Sequence, residues 1–131
     1  MIYISTSPEE TMRIAQNYAK TLQKNDVVLL EGDLGAGKTV FAKGVAKGLN
    51  ITETVVSPTY AYMNDYDGRL YHYDCYRLGS GEDAVRLGLT DYFEADGICL
   101  IEWAENIQSV LPKNCKKVTI TVKDGQRIIN L

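Results

Sequence analysis

Eight residues, Gly32-Asp33-Leu34-Gly35-Ala36-Gly37-Lys38-Thr39, fit the pattern G-x-x-x-x-G-K-[ST]. The pattern describes a loop that wraps phosphate groups, and each residue type has a physical reason to be there. Glycines let backbone N–H groups approach phosphate oxygens closely. A helix that starts at the end of the loop adds the favourable end of its dipole. Lys38 can reach the β- and γ-phosphates, and the Thr39 hydroxyl can ligate Mg²⁺. Asp33, Leu34, Gly35, Ala36, Gly37, Lys38 and Thr39 are therefore the expected nucleotide contacts. The bland alternative is a glycine-rich strand-to-helix turn without a ligand.

Binding a triphosphate is not yet hydrolysing it, which needs metal ligands and a group that positions water. Two acids stand where they could serve. Asp74 ends the run Leu70-Tyr71-His72-Tyr73, and Glu102 ends Ile98-Cys99-Leu100-Ile101. An acid at the C-terminal end of a parallel strand faces the crevice where ligands bind in open α/β sheets. Either could hold Mg²⁺ directly or through water, or orient the attacking water; a solvated strand-end carboxylate is the plain reading. Ser57-Pro58-Thr59-Tyr60 reads as a switch-like loop that brings the Thr59 hydroxyl to the γ-phosphate, or as a simple turn. His72, the only histidine, reads as a hydrogen-bonded structural residue rather than a general base. Trp103, next to Glu102, reads as a half-buried brace for that acid. Of nine tyrosines, six lie from Tyr60 to Tyr76. Without interleaved basic residues they suit hairpin packing and a protein interface better than base stacking.

The segments around these residues follow from periodicity and turn signals. Val27-Val28-Leu29-Leu30 reads as a buried parallel strand into the loop, and Phe41, Val45 and Leu49 mark one face of the helix after it. Met1–Ser5 alternates like a strand. Ser7, Pro8 and Glu10 form a helix start with a capping box, followed by an apolar face of Met12, Ala15, Ala19 and Leu22. The spacing predicts strands over 60–66 and 70–76 around Asp67-Gly68, a helix over 82–87, a strand over 98–101 and a helix over 104–110. Val118–Val122 and Arg127–Ile129 flank Asp124-Gly125 as a hairpin. The expectation is one P-loop NTPase-like α/β domain over residues 1–131: three layers around a mixed, mostly parallel sheet with antiparallel hairpin additions.

Bulk properties narrow the function. The chain has 131 residues and a net charge of −3, which argues against direct gripping of a nucleic-acid backbone. It contains no apolar run of about 18 residues and no basic, apolar leader, so no membrane role is expected. Three cysteines without C-x-x-C spacing point to a reducing, cytoplasmic setting.

Five ordered pieces resemble the TsaE (YjeE) family of bacterial P-loop ATPases. They are GDLGAGKT at 32–39, SPTY at 57–60, HYDCYRL at 72–78, LGLTDYF at 87–93 and IEW at 101–103. The resemblance implies ATP as nucleotide and Mg²⁺ as metal, with Thr39 and Glu102 at the metal site and Asp74 beside it. It implies catalytic roles for Lys38, Glu102 and Asp74. It sets Thr59 and Trp103 around the γ-phosphate and the catalytic acid, and it brings the N-terminal Thr6 and the C-terminal Arg127 to the nucleotide. It further implies TsaB-like and TsaD-like partners, with tRNA met only through that complex. The step supplied is ATP hydrolysis for threonylcarbamoyl modification of adenosine 37, not the transfer itself. A small P-loop kinase, with Arg77 and Arg86 in a lid, is the second reading. A GTPase ranks lower because no N-K-x-D-like run reads guanine, and a nucleotide-binding structural protein is the last.

Overall fold

A computed structural model of the chain describes residues 1–33 and 35–131; Leu34, expected in the phosphate loop, lies outside the described residues. In chain order the first elements are β1 (Ile2–Ser5), α1 (Pro8–Ala19), β2 (Val27–Gly32), α2 (Lys38–Gly48), β3 (Met63–Tyr66) and β4 (Leu70–Asp74). Then come α3 (Gly81–Arg86), a 3-10 turn (Leu89–Tyr92), β5 (Ile98–Glu102), a second 3-10 segment (Ala104–Val110), β6 (Lys116–Lys123) and β7 (Gln126–Asn130). The chain divides into two compact units, with β2 beginning in one and ending in the other. Among the described residues no helix is long and apolar enough to cross a membrane.

The first unit holds Met1–Leu22, Leu30–Val56 and Lys117–Leu131. Its strands run in the order β1, β7, β6, then the end of β2. Asp124 and Gly125 have φ of 52° and 76°, the paired positive angles of a two-residue hairpin turn, and they join Lys123 to its partner Gln126. β1 pairs antiparallel with β7, which sets Ser5 opposite Arg127. Helix α1 starts as its sequence predicts: Pro8 occupies the first turn and the Ser7 Oγ accepts the Glu10 N–H at 3.1 Å. Helices α1 and α2 cross closely because their contact is made of small residues. A Cβ on Gly44 would lie 2.5 Å from the Met12 carbonyl oxygen and 2.6 Å from the Ala15 Cβ; Gly48 meets Gln16 and Ala19 in the same way.

The second unit holds Gln23–Leu29 and Ser57–Lys116, with the start of β2 followed by β5, β4 and β3. β5 is buried along its whole length, as its apolar run requires, and it lies parallel to β4. Asp67 and Gly68, at φ of 60° and 66°, turn the β3–β4 hairpin, and Arg69 N–H closes it on the Tyr66 carbonyl at 3.1 Å. Tyr73, Cys75, Cys99, Ile101 and Ile107 are core residues here, and the Tyr73 hydroxyl donates to the Leu89 carbonyl at 2.7 Å. All three cysteines are free; burial pushes the Cys75 thiol up to about 12 and the Cys99 thiol up to about 11.

The fold is the expected mixed α/β type, and its antiparallel part extends past the two hairpins because β1 also joins β7. Two local expectations are corrected. The third strand begins at Met63, not Tyr60, because the Tyr62 N–H turns back to the Pro58 carbonyl at 2.9 Å with φ of 64°. The fourth ends at Asp74, not Tyr76, because the Asp74 Oδ1 accepts the Tyr76 N–H at 3.0 Å and bends the chain. Residues 104–110 are helical as expected, in the form of a kinked 3-10 segment that starts from Trp103 at φ 59° and bends at Ile107, whose side chain is fully buried.

Candidate functional site

The predicted residues fall into two sets, one in each unit. In the first unit, β2 delivers the chain to the phosphate loop. Gly32 sits where a Cβ would lie 2.7 Å from the Ile120 carbonyl oxygen, so a side chain is excluded there. Gly35 and Gly37 take φ of 81° and 99°, angles that other residues rarely adopt. The Ala36 N–H bonds the Asp33 carbonyl at 3.0 Å, and the Phe41 N–H bonds the Gly37 carbonyl at 2.9 Å as the first turn of α2. Lys38 is buried at the start of that helix, whereas Asp33 and Thr39 are exposed. The described residues of the loop therefore supply the positive-φ glycines, the cation and the helix end that a phosphate-binding loop uses.

Thr6 and Arg127, far apart in sequence, come to this loop. The β1–β7 pairing brings Arg127 beside the β1–α1 turn. Its guanidinium Nη2 donates to the Gly35 carbonyl at 3.4 Å. Thr6, Thr11, Gly37, Val40, Gly125 and Arg127 line a cavity of about 190 Å³. The turn is held from within: the fully buried Ser5 hydroxyl bonds the Thr11 hydroxyl at 2.6 Å and donates to the Ser7 carbonyl at 2.8 Å. Glu10 departs from the expected capping box. Its Oε2 accepts both the N–H and the hydroxyl of Thr6, at 3.0 and 3.1 Å. The Thr6 backbone bond, then the Thr6 hydroxyl, hold the Glu10 carboxyl below its usual range. Sequence reasoning missed Thr11, Val40 and Gly125 because only the folded turn and hairpin bring them here.

In the second unit, β4 and β5 carry the acids. Their register sets Asp74 opposite Glu102 at the C-terminal ends of both strands. Asp74 is half-buried, and its Oδ2 accepts the Thr59 hydroxyl at 3.4 Å. The Thr59 hydroxyl also bonds the Ser57 hydroxyl at 2.7 Å, so the Ser57–Tyr60 turn is tied to an acid. Glu102 is only 7% exposed, and its Oε2 lies 2.6 Å from the Nε2 of the fully buried His72. His72 is thus hydrogen-bonded as expected, and its partner is the candidate acid itself. Trp103 is half-buried and meets the Tyr76 ring edge-on, with centroids 4.9 Å apart. Arg77 lies 4.4 Å from the centroid of Tyr60, and Arg86 pairs with Asp83 at 2.8 Å, so the two arginines of the kinase reading are both engaged.

Among the described residues no group of three or more His, Cys, Asp or Glu side chains could hold a metal by itself. Mg²⁺ does not need one: it is bound by one or two carboxylates together with substrate phosphates and water. The Thr39 hydroxyl in the first unit, and the Asp74 and Glu102 carboxylates in the second, are each oxygen donors of the hard kind that Mg²⁺ takes.

Residues 5–129 match the family model of the threonylcarbamoyl adenosine biosynthesis protein TsaE. The chain is 46% identical over 119 residues to a tRNA threonylcarbamoyladenosine biosynthesis protein TsaE of Bacillus subtilis, covering 88% of this chain and 74% of that one. It is 40% identical over 131 residues to the protein of that name in Treponema pallidum, covering 98% and 97%. Among solved structures, a crystal structure of Bacillus subtilis YdiB superposes with a TM-score of 0.81 at 41% identity, covering 98% of this chain and 82% of that one.

Proposed function

Because this chain belongs to the TsaE family of tRNA threonylcarbamoyladenosine biosynthesis proteins, we propose that it binds ATP with Mg²⁺ and hydrolyses it in service of that modification. The observation that carries the reading is the loop from Gly32 to Thr39, with two glycines at positive φ, a buried Lys38 and Arg127 on the Gly35 carbonyl. Lys38 neutralises charge that builds on the β- and γ-phosphates during cleavage. Thr39 and Glu102 hold the metal, and Asp74 supports it or orients the attacking water. Bound Mg²⁺ supplies charge neutralisation and geometry at the phosphates. Thr59 serves the γ-phosphate side, Trp103 braces Glu102, and Thr6 and Arg127 hold the adenosine.

Hydrolysis serves TsaB-like and TsaD-like partners, with tRNA engaged through them. The net charge of −3 suits that indirect role. The cytoplasm, where tRNA is modified, is the proposed location. The test is Lys38→Ala, read by ATP and ADP titration, turnover and thermal melting. The variant is expected to melt like the parent, to bind ATP weakly and to lose turnover by about 10² or more. Normal turnover by a folded Lys38→Ala protein would refute the assignment.

A further inference from the structure

We infer that His72 is a positioning residue for Glu102: its ring holds the carboxylate in the orientation that the metal site uses. The inference rests on the assignment of Glu102 proposed above. Three observations carry it. His72 has no exposed surface, and its Nε2 stands 2.6 Å from the Glu102 Oε2. Its Nδ1 is buried without a hydrogen-bond partner. The register places His72 two residues before Asp74 on β4, and Asp74 opposite Glu102 on β5, so all three side chains share one face.

A histidine that only filled the core would be a poor choice. An orphaned buried ring nitrogen costs free energy that an apolar side chain of similar size would avoid. The polar bond that the ring does make goes to the acid. Against a carboxylate oxygen the Nε2 acts as the donor, so the bond needs a proton on Nε2. Fixing Oε2 fixes the carboxyl plane, and with it the direction of Oε1. This is the support that metal-ligating groups receive from a second layer of partners.

The test compares His72→Leu, which fills the space without a donor, His72→Gln, which restores an N–H, and Glu102→Gln as reference. Mn²⁺ affinity is read by electron paramagnetic resonance at saturating non-hydrolysable ATP analogue. Analogue affinity, thermal melting and the kcat and KM of hydrolysis are read alongside. His72→Leu is expected to melt near the parent and keep analogue affinity, while Mn²⁺ affinity and kcat fall about tenfold or more and KM stays put. His72→Gln is expected to recover most of that loss. Because the chain has one histidine, its imidazole ¹⁵N spectrum reads the wild-type ring directly, and a protonated Nε2 is expected. An Nδ1–H tautomer, unchanged Mn²⁺ affinity in His72→Leu, or His72→Gln no better than His72→Leu would each overturn the inference. If Glu102→Gln itself keeps full Mn²⁺ affinity and turnover, the assignment of Glu102 fails and this inference falls with it. If Glu102→Gln is inactive while His72→Leu is unimpaired, only the inference fails.

Discussion

Asp74 and Glu102 are register partners at the ends of two parallel strands, yet their surroundings differ: Asp74 is half-buried against the Thr59 hydroxyl, and Glu102 is buried against the His72 ring. Two neighbouring carboxylates with different supports suit two different tasks. The buried, rigidly held one suits fixed metal ligation, and the one tied to a turn suits a movable role.

That difference gives a prediction for Glu102. Glu102→Ala removes the acceptor of a buried N–H, which costs about 1–3 kcal/mol of stability. Glu102→Gln keeps an acceptor and is expected to cost less. Both variants are expected to lose hydrolysis and keep measurable nucleotide binding. Thermal melting with phosphate release checks this; turnover within a few-fold of the parent would give the metal to Asp74.

Arg127 is predicted to act on the part of the nucleotide that ATP and ADP share. Its guanidinium stands at the cavity lined by Thr6 and Gly37, with one hydrogen bond to the Gly35 carbonyl. A planar guanidinium can stack on adenine or bond the ribose. Arg127→Ala is expected to weaken ATP and ADP by similar factors in calorimetric titration. A loss confined to ATP would move Arg127 to the γ-phosphate.

The crossing of α1 and α2 gives a stability prediction in which two effects oppose each other. Gly44→Ala improves helix propensity by about 1 kcal/mol. It also drives a Cβ to 2.5 Å from the Met12 carbonyl oxygen, and overpacking costs typically about 1–3 kcal/mol. The obstacle is backbone, which cannot swing aside, so the clash wins and a lower melting temperature is expected. A stabilised Gly44→Ala variant would show that the helices part without penalty.

What was legible in the sequence were features whose chemistry is local. Gly35 and Gly37, the Ser7-Pro8 helix start and both Asp-Gly turns each need a particular residue at one backbone position. The two misread strand ends turn on particular bonds that alternation does not reveal: Tyr62 folds back on Pro58, and the strand expected to reach Tyr76 is stopped by its own Asp74. The kink at Ile107 within residues 104–110 goes with burial of that side chain in the core of its unit. Glu10 bonds Thr6 where a capping box would reach Ser7, a difference of one residue that composition cannot resolve. The bond from His72 to Glu102 crosses 30 residues and follows from strand register alone. Thr6 and Arg127 carry no local motif; their place at the cavity follows from the pairing of β1 with β7.

If ATP hydrolysis by this chain serves a multiprotein tRNA-modifying machine, partner proteins must change its rate. Arg77, which lies within the piece HYDCYRL, is stacked on Tyr60, and Tyr60 and Tyr76 are 80% and 57% exposed, on a segment tied to Asp74 through Thr59. A partner that docks on these rings can reorder that segment, and an arginine supplied in trans is worth roughly 10³–10⁵ in rate in other P-loop systems. The most direct measurement is steady-state phosphate release by the isolated chain and by the chain with TsaB-like and TsaD-like proteins. Expected are slow release alone, release faster by about tenfold or more with both partners, and loss of that stimulation in Tyr60→Ala and Tyr76→Ala with ATP binding intact. Fast release by the isolated chain, unchanged when the partners are added, would contradict that role.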